Sequence, residues 1–196
     1  MKRPQRNLFV ILSALAVLWL VLLRVPWLAT LWLLVALFVF ALGLAIYARD
    51  FLVGRFRMRR RDWRKAIESF TKFEKKLGET GLGFVLTPIY LSIYSFDGVA
   101  IARNNIGRSL FELKEFDDAE RWLRSALQRD PLYALPYTHL GTIAAFRGDA
   151  KTAEREFRRA VELGFSPIVA QTLLRRALMQ AEKAQVEKSP GKKKRE

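Results

Sequence analysis

Hydrophobic and polar positions follow two different patterns along this chain, and the change comes near residue 48. Residues 8–23, LFVILSALAVLWLVLL, carry no charge, and neither do residues 27–48, WLATLWLLVALFVFALGLAIYA. A helix drawn over either run is apolar on every face, which leaves no side for water. A bilayer span takes about 20 residues, with a range of about 17–25. Both runs are therefore expected to cross a membrane, the first slightly short, with Asn7 and Arg24 at its ends. Arg24, Val25 and Pro26 interrupt the helix, so residues 1–48 read as a transmembrane helical hairpin. The basic opening MKRPQR resembles a secretory leader. No small-x-small cleavage site follows it, however, and a second apolar run comes at once.

Beyond residue 48 apolar positions recur at three- and four-residue spacing, the mark of helices with one buried face. Two segments repeat each other: ARNNIGRSLFELKEFDDAERWLRSALQRDP at 102–131 and PYTHLGTIAAFRGDAKTAEREFRRAVELGF at 136–165. Ile106 and Leu140, Gly107 and Gly141, Ala119 and Ala153, Leu123 and Phe157, and Ala126 and Ala160 are each 34 residues apart. Such a period marks a stacked array. Each unit reads as helix, tight turn, helix; Gly148 suits the end of one helix and Asp149 the start of the next.

A third, degenerate unit lies upstream at 49–80. Val53 and Gly54 precede Ala66 and Phe70 in the same order, but Phe73 stands where a small residue is expected. Its first helix directly continues the second apolar run, so an unbroken helix from span to domain is expected. Ala66 and Ala119 are 53 apart, which leaves about 19 extra residues around GLGFVLTPIYLSIYSFDGV, an insert placed at 81–99. Thr87 and Pro88 start a helix, and the pattern over 88–113 suits either one long helix or two meeting at Asp97 and Gly98. Gly78, Gly81 and Gly83 are a connection, because no lysine and no preceding strand make them a phosphate loop. Repeats at 100–133 and 134–167 follow. An amphipathic helix at 168–182 then caps the last unit, as an array requires, and a basic, disordered tail fills 183–196.

Charge supplies an orientation. The chain has 34 Lys and Arg against 19 Asp and Glu, a net charge of +15. Lys2, Arg3 and Arg6 precede the first run, Arg49 through Lys65 crowd behind the second, and Arg24 alone lies between them. By the positive-inside rule both termini face the cytoplasm, and the Leu-, Arg- and Ala-rich usage suggests a bacterial inner membrane. The stretch RFRMRRRDWRK suits either nucleic acid or anionic headgroups. Its tether at headgroup level favours lipid, with Arg55, Arg57, Arg59, Arg60 and Arg61 as the contacts and no nucleic acid as partner. There is no cysteine and only one histidine, His139, so disulfides, thiolate metal sites and Cys-His catalysis are excluded. No cofactor, no metal and no catalytic residue is expected, and the chain is read as a non-enzyme. His139 sits two residues before Gly141, among packing positions, and is read as structural or as a ligand contact.

The Ile106-Gly107, Ala119, Leu123, Ala126 set and the Leu140-Gly141, Ala153, Phe157, Ala160 set resemble the tetratricopeptide repeat family. Tyr137 matches the aromatic that opens the family's first helix, and Arg103 departs from it. Pro131 matches the terminal proline, where the next unit has Phe165. The resemblance covers roughly residues 47–182 and is strong over 100–166. It implies an all-α fold, a short α-solenoid behind the hairpin, whose inner face binds peptides or proteins. By that resemblance the groove carries Ile101, Asn104, Arg108, Glu112, Leu135, Thr138, His139 and Thr142, with Arg176 (or its neighbour Arg175) of the capping helix closing one end. In some family members Lys, Asn and Arg clamp a C-terminal carboxylate; here Leu135 and His139 stand where further basic groups belong. The implied function is a membrane-anchored adaptor or scaffold on the cytoplasmic face. The alternative is a structural or assembly subunit of a larger membrane complex.

Overall fold

The computed structural model describes residues 3–22, 27–80 and 94–188, and all regular structure among them is helical. α1 is Arg3–Leu22 and α2 is Trp27–Tyr47. The proposed turn at 24–26 lies outside the described residues, as does most of the 81–99 insert. Ala29–Tyr47 is long and apolar enough to cross a membrane, with a mean hydropathy of 2.6 and none of it buried. The corresponding apolar stretch of α1, Asn7–Leu20, is shorter than a span.

The rest is a series of helix pairs: α3 (Arg49–Arg59) with α4 (Trp63–Thr80), α5 (Gly98–Glu112) with α6 (Phe116–Arg129), and α7 (Ala134–Phe146) with α8 (Ala150–Glu162). α9 (Pro167–Lys188) closes the series. Each pair packs against the next, and α9 packs on both α7 and α8. The cap is therefore longer than 168–182 and takes up residues read as tail. An unbroken helix over 88–113 does not form, because residues 94–97 are non-helical. Asp97 caps α5 instead, its side chain accepting from the Ala100 amide at 2.9 Å.

One contact recurs in all three pairs. A Cβ added at Gly54 would stand 2.8 Å from Phe70, at Gly107 2.7 Å from Leu123, and at Gly141 2.8 Å from Phe157. In each case the partner lies sixteen residues further on. No side chain fits between the helices there, so glycine sets their separation. Ala66, Ala119 and Ala153, all 0% exposed, line the partner helices one turn earlier. The degenerate unit is thus built on the same register as the clear ones. Its Phe73 fits because it packs on Phe51, with ring centroids 5.2 Å apart.

The turns inside the pairs also repeat. Arg61, Lys114 and Gly148 adopt φ of 60°, 64° and 82°. In each turn the left-handed residue's amide, and the amide after it, bond back to the preceding helix: Lys114 to Phe111 and Glu115 to Leu110, Gly148 to Ala145 and Asp149 to Ala144, Arg61 to Met58 and Asp62 to Arg57. This double closure satisfies carbonyls that a helix end leaves unpaired. Asp149 then caps α8 by accepting from the Thr152 amide at 3.0 Å.

α2 and α3 are not one unbroken helix. Ala48 turns between them and is wholly buried. Lys76 of α4 donates to the Tyr47 carbonyl at 3.1 Å and lies 4.1 Å from the centroid of the Tyr47 ring. The joint is a single residue, pinned from the domain side.

Two of the three turns carry a side chain where glycine is the favoured residue. Left-handed backbone costs an L-residue about 1–2 kcal/mol, and glycine's greater freedom in the unfolded chain offsets part of the gain. Lys114→Gly is expected to stabilise the domain by about 0.5–1 kcal/mol, and Gly148→Ala to destabilise it by a similar amount. Thermal unfolding followed by helical dichroism checks both; a lower Tm for Lys114→Gly contradicts the strain.

Candidate peptide-binding cleft

Between the first and second pairs the contact runs through α4 and α5; further on, α5 touches α7, and α7 touches α9. Between them opens a cleft of about 380 Å3 lined by Phe111, Glu112, Lys114, Phe116, Thr142, Phe146, Leu173, Arg176, Ala177 and Gln180. Its floor is aromatic. Phe111, Phe116 and Phe146 are mutually in contact, with centroids 5.6, 5.8 and 5.7 Å apart. The left-handed turn at Lys114 folds Phe116 back onto Phe111, and the α5–α7 stacking adds Phe146. The rim is charged and polar: Glu112, Lys114 and Arg176 are exposed, as is Gln180.

The structure divides the groove residues read from the sequence. Glu112, Thr142 and Arg176 converge on this cleft. Arg108 is exposed one turn before Glu112 on α5. Ile101, Asn104 and Thr138 are not on an open face; they are 3%, 2% and 4% exposed. Asn104 and Thr138 are one repeat apart and fall where stacked pairs close on each other. Leu135, half-buried, packs against the same core. The Thr138 hydroxyl donates to the Leu135 carbonyl at 2.7 Å and that of Thr142 to the Thr138 carbonyl at 2.8 Å, so both are satisfied within their own helix. Among the described residues Asn104 Oδ1 has no hydrogen-bond partner.

His139 is half-buried. Loss of hydration, and then the nearby Arg108 guanidinium, pull its pKa down to about 3. It is a neutral imidazole at physiological pH.

Of the five arginines read as lipid contacts, Arg59, Arg60 and Arg61 are exposed and Arg55 is half-buried. Arg57 is turned inward: its Nη1 donates to the Lys65 carbonyl at 2.9 Å and to Ser69 Oγ at 2.8 Å. It ties α3 to α4 and is not available to a headgroup.

Several polar contacts were invisible in the repeat pattern. Arg103, where the family pattern has an aromatic, donates to Glu74 at 2.9 and 2.7 Å and to Ser125 Oγ at 2.9 Å, joining α4, α5 and α6. Arg147 reaches Glu120 and Asp117 at 2.5 Å each, joining the end of α7 to α6. That hydrogen bond holds the Glu120 carboxyl below the ordinary carboxylate range. Ser95, from the end of the insert, donates to Asp130 at 2.5 Å in a buried site. The cleft phenylalanines were also missed. Phe111 and Phe146 close the first helices of consecutive repeats but are 35 residues apart, so the 34-residue comparison pairs them with Ala145 and Glu112 and not with each other.

Residues 99–129, which make up the α5–α6 pair, match the family model described as Tetratricopeptide repeat. No curated protein matches the chain. Similar solved structures include the first TPR of Spaghetti (RPAP3) bound to the HSP90 peptide SRMEEVD. It is 16% identical, with 71% of this chain and 93% of that chain covered and a TM-score of 0.49. The Sgt2 TPR domain from Aspergillus fumigatus is 18% identical, with 76% and 85% covered and a TM-score of 0.48. The match to the repeat model thus falls on the middle helix pair, which is flanked by pairs built on the same glycine register.

The histidine makes stability depend on pH. An unfolded histidine takes up its proton near pH 6.5, about three units above the folded value. Between these limits the unfolded chain binds the proton and the folded chain does not, so stability falls as pH drops. The slope is at most about 1.4 kcal/mol per pH unit. Above the unfolded value this group contributes no pH dependence. Urea unfolding between about pH 7.5 and 5, a window above the carboxylate range, should show the loss. His139→Gln should flatten the profile; an unchanged slope in that variant contradicts the assignment.

Proposed function

We propose that this protein is a membrane-anchored adaptor whose repeat array holds a segment of a partner protein on the cytoplasmic face. The observation that carries the reading is the cleft between α5, α7 and α9. It has an apolar floor of phenylalanines and a rim bearing Glu112, Lys114 and Arg176, with Arg108 beyond it. Such a surface suits a peptide with an apolar anchor and polar or acidic flanks, since buried apolar contact supplies affinity and Arg can hold a carboxylate in two hydrogen bonds.

Anchoring is supported by the membrane-length helix ending at Tyr47, one residue before the domain. The apolar stretch of α1, Asn7–Leu20, is about 21 Å long, and its uncharged sequence continues to Leu23. The α1–α2 pair is read as a hairpin, and the basic residues at the start of α1 and after α2 favour both termini in the cytoplasm.

The test uses the full chain, extracted in mild detergent with its partners. Lys114→Glu with Arg176→Glu reverses two exposed rim charges and should leave helical content unchanged. Partner capture is expected to fall about tenfold or more, since a charge-assisted hydrogen bond contributes about 1.5–3 kcal/mol. Undiminished capture of every copurifying protein removes the cleft from the binding surface. A partner retained in fixed stoichiometry by both forms favours the complex-subunit role.

A further inference from the structure

α3 presents one face to the domain and a different one outward. Phe51, Gly54 and Met58 are buried, toward α4. The opposite side of the helix is formed by Arg49, Leu52, Val53, Phe56, Arg59 and Arg60. Leu52 and Phe56, one turn apart at its middle, are 43% and 53% exposed. The Arg60 guanidinium lies over the Phe56 ring at 4.3 Å from the centroid. Arg49 and Arg59 are exposed beside them, and Asp50 is the one acidic residue of the helix. An apolar pair ringed by arginines adds nothing to the packing of α3, which is held from its other side.

The position of this face follows from the joint. α3 begins two residues after α2 ends, and Ala48 and Lys76 fix that junction against α4. A helix starting so close to the end of a bilayer span begins at headgroup level. An arginine-flanked apolar strip matches that layer, where guanidinium meets phosphate and apolar side chains reach the acyl boundary.

We propose that the outward face of α3 lies in an anionic bilayer surface. Leu52 and Phe56 sit at the boundary between headgroups and acyl chains, and Arg49, Arg59 and Arg60 lie on lipid phosphates. This rests on the reading of α2 as a membrane span. It goes further by naming the embedded side chains and by holding the repeat array in one orientation at the membrane instead of letting it swing.

The chain has no cysteine, so single cysteines carrying an environment-sensitive fluorophore report depth without background. The full chain is reconstituted in vesicles of phosphatidylcholine and phosphatidylglycerol, with nitroxide lipids as quenchers. Labels go on Phe38→Cys in α2, on Leu52→Cys and Phe56→Cys in turn, and on Gln128→Cys in α6 as an exposed control. The expected result is quenching of position 38 by nitroxides deep in the acyl chain. Positions 52 and 56 should be quenched most strongly by shallow nitroxides, and position 128 by none. With Arg49, Arg59 and Arg60 all changed to Gln, shallow quenching at 56 should fall at least about twofold in phosphatidylglycerol vesicles and stay unchanged in pure phosphatidylcholine. Labels at 52 and 56 open to water while 38 is quenched overturn the proposal and leave the anchor standing. If 38 is unquenched, both fall. Labels at 52 and 56 hidden from lipid and from aqueous iodide alike overturn the proposal in favour of a protein, including a second copy, on this face.

Discussion

A glycine facing a large apolar side chain sixteen residues later sets the distance between paired helices, and the rest of the array depends on that distance. The added Cβ that would collide at Gly54, Gly107 and Gly141 measures how little room there is. Close approach buries the alanines of the partner helix and lets each pair close through a left-handed turn of fixed length. Pairs of equal geometry then stack. The larger core that results runs from Ala48 and Phe51 of the first unit to Leu140 and Ile143 of the third, and a smaller cluster of Ala144, Ala145, Ala153 and Ala177 joins the third unit to the cap. The extra residues between the first and second units do not disturb the seam, because each pair is determined within its own chain segment.

The same constraint explains what was legible in the sequence. Glycine, alanine and the large apolar residue recur at a fixed period, so the helix pairs could be read from spacing, whereas of the turns only Gly148 and Asp149 were marked by their residues. The first unit read weakly because Phe73 replaces a small residue. Phe51 accommodates it, and that compensation comes from another helix. The groove was only partly legible. A helix's periodicity identifies the face turned to its partner, but not how far the next pair closes over the remaining faces. Stacking of the pairs left Ile101, Asn104 and Thr138 buried, while Glu112, Thr142 and Arg176 stayed at the open end. The cleft floor was hidden for a related reason. Phe111, Phe116 and Phe146 each look like core residues, and only the turn and the stack assemble them.

Arginine plays several structural parts in this strongly basic chain. Arg57 and Arg103 spend their donors inside the fold, and Arg147 joins successive units at the surface. Among the bases that face outward are those on the outer side of α3 and those around the cleft. In the proposed arrangement the first set meets the membrane and the second meets a partner. The pinned joint at Tyr47 and Ala48 would relate the two, since an array fixed at α3 presents its cleft in one orientation.

The glycine seam is tested most directly in the first unit, where the atoms nearest the added Cβ all belong to Phe70. Gly54→Ala, Phe70→Ala and the double variant form a cycle, read by chemical unfolding of the full chain in detergent. Gly54→Ala alone should cost about 1–3 kcal/mol through overpacking. With Phe70→Ala the side-chain atoms nearest the new methyl are gone, and the same change should be close to neutral, a coupling of at least about 1 kcal/mol. Additive costs, or a harmless Gly54→Ala in the otherwise unchanged chain, would contradict the account.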